Sequence, residues 1–228
     1  MVMAREPQGG SFRPVPAGVW VARCFRIVDL GTQTVEWQGD VKLQRKVQLT
    51  WELFGEDEAG VPLVELDSGK PLTISKRYTL SLSDKAKLRA DLQAWRGKPF
   101  TKEELAGFEL DALAGKYCML NVTQDLGANG RTYSNVSSIT PLPAAMRKNP
   151  PPGVHPTLIF DIDNPDMIAF NGFYEALRAT IEASEEWKAR HAPKAAPAQT
   201  ASPAKAGARQ APVAAGSAFD DMDDDVPF

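Results

Sequence analysis

KVQLTWEL, residues 46–53, alternates Val47, Leu49, Trp51 and Leu53 with Lys46, Gln48, Thr50 and Glu52. Side chains of an extended chain point to opposite faces in turn. A period of two over eight residues therefore predicts a strand with one buried and one wet face. The same pattern puts Trp51 in the core. Before this stretch, GVWVARCFRIVDLG supplies a first strand over Val19–Leu30, rich in β-branched and aromatic residues and ended by Gly31. Its length and mixed alternation predict a bend across two parts of a sheet, helped by a bulge. Residues 31–41 read as a polar loop holding Trp37, and residues 55–70 as an acidic, glycine-containing loop. A third strand is expected over Leu72–Leu82, with Leu72, Ile74, Tyr78 and Leu80 on one face and Thr73, Ser75, Arg77 and Thr79 on the other.

The period then becomes helical. Ser83 is a suitable N-cap, Leu88, Leu92 and Trp95 form one apolar stripe, and Gly97 followed by Pro99 ends the helix. Thr101 and Glu104 fit the capping box of a second, short helix. A fourth strand, Tyr117–Thr123, and a fifth, Arg131–Thr140, flank a turn with Gly127, Asn129 and Gly130, and Asn-Gly is a strong hairpin signal. Three strands, a helical insert and a two-stranded hairpin is the order of the OB-fold, a five-stranded, partly open barrel that often binds oligonucleotides. The expected fold is thus mainly β: a five-stranded OB-fold barrel over 18–143 with a helical insert between strands 3 and 4, a C-terminal helical extension and a disordered tail.

The flanks differ in composition. Residues 1–17, with Gly9, Gly10, Pro7, Pro14 and Pro16, read as a mobile arm. Residues 144–190 read as a proline-rich connector and a helical extension. After Asn164-Pro165, a helix is expected with Phe170, Phe173, Tyr174, Leu177 and Ile181 on its apolar face. Too short to fold alone, it should pack on the barrel or on a second copy. Residues 191–218 are mostly Ala, Pro, Lys, Gln, Gly and Ser, a composition that predicts a disordered linker.

The net charge of −3 averages unlike segments. Residues 1–150 carry 20 Lys+Arg against 17 Asp+Glu, whereas the last ten residues hold five Asp and no basic residue. A mildly basic body with an acidic tip is the asymmetry of an interaction tail. No apolar run reaches the roughly 18–20 residues of a membrane span, and Met1–Phe12 lacks the apolar segment of a secretory signal, so a cytoplasmic location without membrane association is expected. Cys24 and Cys118 lie in strand-like stretches as structural thiols, and His155 and His191 have no ligand cluster around them. No phosphate loop or nucleophile elbow occurs, so no catalytic residue, cofactor or metal is expected. Asp161, Asp163 and Asp166 in DIDNPD lack the Gly and distal Glu of a calcium loop and fit a turn and helix N-terminus.

The ending FDDMDDDVPF closely resembles the C-terminal tip of bacterial and phage single-stranded DNA-binding proteins, an acidic run followed by an apolar residue, Pro and a terminal Phe. The body, through GVWVARCFRIVDLGTQ and GKYCMLNVTQDLGANGRTYSNVSSITPLP, resembles phage-encoded OB-fold members of that group. The resemblance implies a protein that coats single-stranded DNA during replication, recombination or repair. It also implies recruitment of a polymerase, helicase, nuclease or primase through Phe219, Asp220, Asp221, Asp223, Asp224, Asp225, Val226, Pro227 and Phe228. The chemistry of the tip agrees: Phe228 joins an aromatic ring to a free carboxylate, Pro227 stiffens the approach, and the aspartates steer towards a basic surface.

A sequence-tolerant single-strand binder needs a basic groove and aromatic platforms. The candidates are Trp37, Lys42, Arg45 and Lys46 in the first loop and second strand, Lys76, Arg77 and Tyr78 in the third strand, and Arg131 and Tyr133 in the hairpin. Tyr78 shares the apolar parity of its strand, so core and platform stand open. The helical extension leaves room for a homo-oligomer. An OB-type protein–protein adaptor without DNA binding is the alternative, kept by the modest +3 of the body.

Overall fold

The computed structural model describes residues 13–37 and 39–192. Strands β1 (Gly18–Trp37), β2 (Asp40–Phe54) and β3 (Thr73–Thr79) come first, then α1 (Lys87–Arg96), α2 (Lys102–Ala106) and a 3-10 turn at Leu110–Leu113. Next are β4 (Tyr117–Leu126), β5 (Thr132–Pro141), α3 (Ala144–Arg147) and β6 (Leu158–Phe160). The chain continues with α4 (Met167–Asn171), α5 (Glu175–Glu182) and α6 (Glu185–His191). The protein is mainly β, and the expected order of three strands, helical insert and hairpin is observed. The sheet runs β3-β2-β1-β4-β5 with antiparallel pairing, and β6 adds in parallel to β1. It does not close: β3 and β5 are its two ends. Across that gap Lys76 Nζ on β3 donates to the Val136 carbonyl on β5 at 3.0 Å.

The first strand has the irregularities its length predicted, with register shifts at Cys24/Arg26 and Asp29/Gly31. Residues 31–41, expected as a loop, are instead a β-hairpin arm in which pairing continues from Gly31↔Lys46 to Trp37↔Asp40. The arm is exposed along Asp40–Leu43, so its polarity says nothing against a strand. Ladder hydrogen bonds and the β-branched Thr32, Thr34 and Val35 hold it extended.

Two apolar cores flank the sheet. The first holds Trp51, Val47, Leu49, Leu53, Ile74, Tyr78 and Leu120, closed by Leu88, Leu92 and Trp95 of α1. The second lies on the opposite face, where Val28 and Leu30 of β1 meet Phe160, Ile162, Phe170, Phe173, Leu177, Ile181 and Trp187. The helical extension thus packs on its own sheet. This corrects the expected wet face of β2: Gln48, Thr50 and Glu52 are all buried, at 1%, 0% and 0% exposure. The chain after Pro150 returns over Glu52, whose carboxylate accepts the backbone N–H groups of Val154 and His155 and a bond from Arg23 Nη1.

Local signals met mixed outcomes. The Thr101–Glu104 capping box forms as expected, and Gly97 ends α1 in the left-handed region at φ 67°. Ser83 is not the N-cap: α1 starts at Lys87 after Ala86, and Ser83 opens the preceding turn by accepting from Ala86 N at 3.1 Å. The single helix expected after Pro165 is three short ones. Gly172 and Phe173 interrupt it first, turning Phe173 into the second core. Ser184 interrupts it again by accepting from Trp187 N to start α6.

Candidate nucleic-acid interface

Strand register aligns residues on the outward face of β1, β2 and β3, the face away from the first core, in rows: Arg26–Thr50–Ser75, Val28–Gln48–Arg77 and Gly31–Lys46–Thr79, of which Val28, Gly31, Gln48 and Thr50 are buried. Directly opposite residues on antiparallel strands have Cβ atoms about 4.5–5.5 Å apart, close enough for each row to bond across. Thr50 Oγ1 and Ser75 Oγ lie 2.9 Å apart, Arg77 Nε donates to Gln48 Oε1 at 3.0 Å, and Lys46 Nζ donates to Thr79 Oγ1 at 2.9 Å. Helix α5 borders this stripe, with Arg77 Nη2 3.5 Å from Thr180 Oγ1. Ser75 and Arg77 are exposed and Lys46 and Thr79 half-buried, so the β3 side of the stripe is open.

The other candidates divide. Lys42 is exposed on the β1–β2 arm beside exposed Val41 and Leu43. Trp37 is the last residue of β1, and its side chain lies outside the described residues. Arg131 is exposed in the β4–β5 turn, and Tyr133 is half-buried, its hydroxyl accepting from Asn129 Nδ2 at 2.7 Å. The β1–β2 arm is formed by the C-terminal part of β1, from Gly31 onward, and the β4–β5 hairpin extends beyond the N-terminal end of β1 at Gly18↔Val122. Lys42 and Arg131 therefore flank the outward face from opposite ends.

Three candidates are withdrawn from that face. Tyr78 is a core residue, 1% exposed, whose hydroxyl donates to Asp91 Oδ2 at 3.0 Å, which resolves its parity in favour of packing. Lys76 is turned to the same Asp91 at 2.9 Å and to the β3–β5 gap, because an ammonium can enter that region only with a carboxylate to meet it. Arg45 is clamped between Asp29 at 2.5 Å and Asp163 at 2.7 Å, and those hydrogen bonds push its pKa above the usual value. In the acidic group Asp29, Asp161 and Asp163, each with a carboxylate oxygen within 4.8 Å of the others', two members, Asp29 and Asp163, thus already bind a guanidinium. Asp161 accepts Asp163 N in a turn and Asp166 caps α4, the roles expected for DIDNPD. The acidic tip Phe219–Phe228 and the linker 191–218 lie outside the described residues, apart from residues 191–192.

Arg26, Gln48 and Tyr174 are not among the sequence candidates for the interface; Tyr174, expected on the apolar face of the extension, is instead 50% exposed. Arg26 lies in the apolar run CFRIV, where an arginine at a strand position is itself a signal. Its guanidinium stands 5.4 Å from the Phe25 ring centroid and 5.9 Å from that of Phe173. Cys24 and Cys118 are wholly buried free thiols, as expected. Burial pushes Cys24 up to about 12 and Cys118 well above the ordinary thiol value. No helix among the described residues is long and apolar enough to cross a membrane. No protein-family model matches the chain, and no curated protein matches it.

Proposed function

We propose that the chain binds single-stranded DNA without strong sequence preference and recruits replication, recombination or repair proteins through residues 219–228. The observation that carries this reading is the sheet order β3-β2-β1-β4-β5 with α1 between β3 and β4. It supports an OB-type, partly open barrel, whose β2–β3 face and two flanking hairpins are the oligonucleotide surface of that fold. On this reading phosphates run along Lys46 and Arg77 between Lys42 and Arg131. Bases stack on rings at the hairpins, Trp37 and Tyr133. The 28 residues of 191–218, a linker by composition, connect the tip to the sheet and its extension. The chemistry is binding, and no catalytic step is assigned.

A second reading, an OB-type adaptor without DNA binding, is favoured by one observation: Arg45 and Lys76 are committed to carboxylates, so the charge count of the body overstates the cations that face outward. Charge reversal separates the two. Arg77→Glu and Arg131→Glu should each weaken oligo(dT) binding about tenfold and flatten its salt dependence, since each removes a phosphate contact. Equal, salt-insensitive behaviour of wild type and both variants would favour the adaptor.

A further inference from the structure

Arg26 Nε and Gln48 Nε2, one row apart on adjacent strands, are both buried and without a hydrogen-bond partner among the described residues. Arg13, Arg23, Arg45, Arg89 and Arg96 each meet a carboxylate. Arg26 lies near two rings instead, Phe25 and Phe173, and makes no ion pair with a carboxylate among the described residues. Burial lowers its pKa from the ordinary value, with Tyr174 opposing that shift, yet a guanidinium stays charged throughout the working range. Tyr174, next in the chain to Phe173, is 50% exposed at the start of α5. The Arg26 Nε–H, buried and without a partner among the described residues, stands in the row of Thr50 and Ser75 and next to the row of Gln48 and Arg77, a setting suited to an anion with several acceptor oxygens. Near the Phe25 and Phe173 rings, the planar fork of Arg26 can offer N–H donors to two of those oxygens at once.

We propose that Arg26 is a phosphate-binding residue of this face, with Tyr174 as the ring on which the adjoining base stacks. The proposal rests on the single-strand reading and extends the contact surface from β2–β3 onto β1 and the helical extension. The strand is then held between the sheet and α5, and residues 158–191 become part of the binding unit.

The test is titration of the full chain with oligo(dT) over a salt series. Arg26→Met keeps an unbranched stem near the two rings. It should bind about tenfold more weakly and lower the salt slope by about 0.7, the increment for one phosphate contact on a single strand. Tyr174→Ala should weaken binding by a similar factor and leave the slope unchanged, as loss of stacking does. Wild-type affinity and slope in Arg26→Met, with wild type itself binding, would overturn the proposal and leave the single-strand reading standing. No binding by wild type would remove both. If Arg26→Met unfolds early, the Arg26 Nε–H resonance of the wild-type protein decides: a shift on oligo(dT) saturation supports the contact, and an unmoved resonance overturns it.

Discussion

His155 meets the wholly buried carboxylate of Glu52 twice, its backbone N–H at 2.9 Å and its ring Nδ1 at 2.8 Å, both on Oε2. Arg23 Nη1 holds the other oxygen at 2.6 Å. Glu52 lies on the central strand of the β1–β2–β3 layer, and His155 on the connector that leads to β6 and the helices. The pair is therefore the latch that fixes the extension over the outward face.

Loss of this latch should be costly. Glu52→Gln removes the charge that Arg23 and the two backbone donors meet, and breaking a buried pair typically costs about 3–5 kcal/mol. Urea unfolding should show that loss as a lower midpoint.

Acid should act on the same carboxyl. Burial raises its pKa, but the bonds from His155 N–H, Arg23, the His155 ring and Val154 N–H outweigh burial and hold it below the usual value. An unfolded Glu titrates near about 4.3. The contribution of Glu52 is thus complete above that region and disappears as pH falls through the lower folded value. The melting temperature of wild type should fall more steeply than that of Glu52→Gln as pH is lowered below about 5. Parallel curves would contradict the latch.

Lys76 gives the opposite kind of prediction. It and Asp91 are 17% and 10% exposed and tie β3 to α1 and β5. Lys76→Met leaves the Asp91 carboxylate without its cation, with only the Tyr78 hydroxyl still donating to it, and should cost about 3–5 kcal/mol in stability. Because Lys76 does not face outward, the salt slope of oligonucleotide binding should not change. A slope reduced by one phosphate would return Lys76 to the interface.

The difference between these residues marks where sequence reading reaches its limit. The alternation of Val47, Leu49, Trp51 and Leu53 and the stripe Leu88, Leu92, Trp95 identify the first core, because burial on one face writes itself into local spacing. The second core is not local. Gln48, Thr50 and Glu52 are polar residues on a covered face, and what covers them arrives about 100 positions later. No spacing within β2 records that. The same holds for the site: Lys46 and Arg77 could be assigned to one face from parity, but whether Arg45 and Lys76 met a carboxylate depended on Asp163 and Asp91 coming near in space.

The thiols should be silent. With Cys24 and Cys118 wholly buried and their pKa values raised, neither should react with a disulfide reagent in the native protein, and both should react in denaturant. Rapid native labelling of either would contradict the packing of β1 against β4.

The tip should act separately from the sheet. Deleting Phe228 should leave oligo(dT) affinity within about twofold, because the groove residues are untouched, while abolishing binding to a replication helicase or nuclease that wild type retains. Equal partner binding by both proteins would remove the tip from the account.

Single-strand binding itself is tested most directly by tryptophan fluorescence of the full chain titrated with oligo(dT) at two salt concentrations. Trp51, Trp95 and Trp187 are buried and Trp20 donates its Nε1–H to the Pro16 carbonyl, so a ligand-dependent change is traced by repeating the titration with Trp37→Phe. The account predicts saturable quenching that weakens with salt, with a slope near −0.7 for each phosphate neutralised, and much smaller quenching in Trp37→Phe. Absence of quenching, together with no mobility shift at low salt, would contradict DNA binding and leave the adaptor.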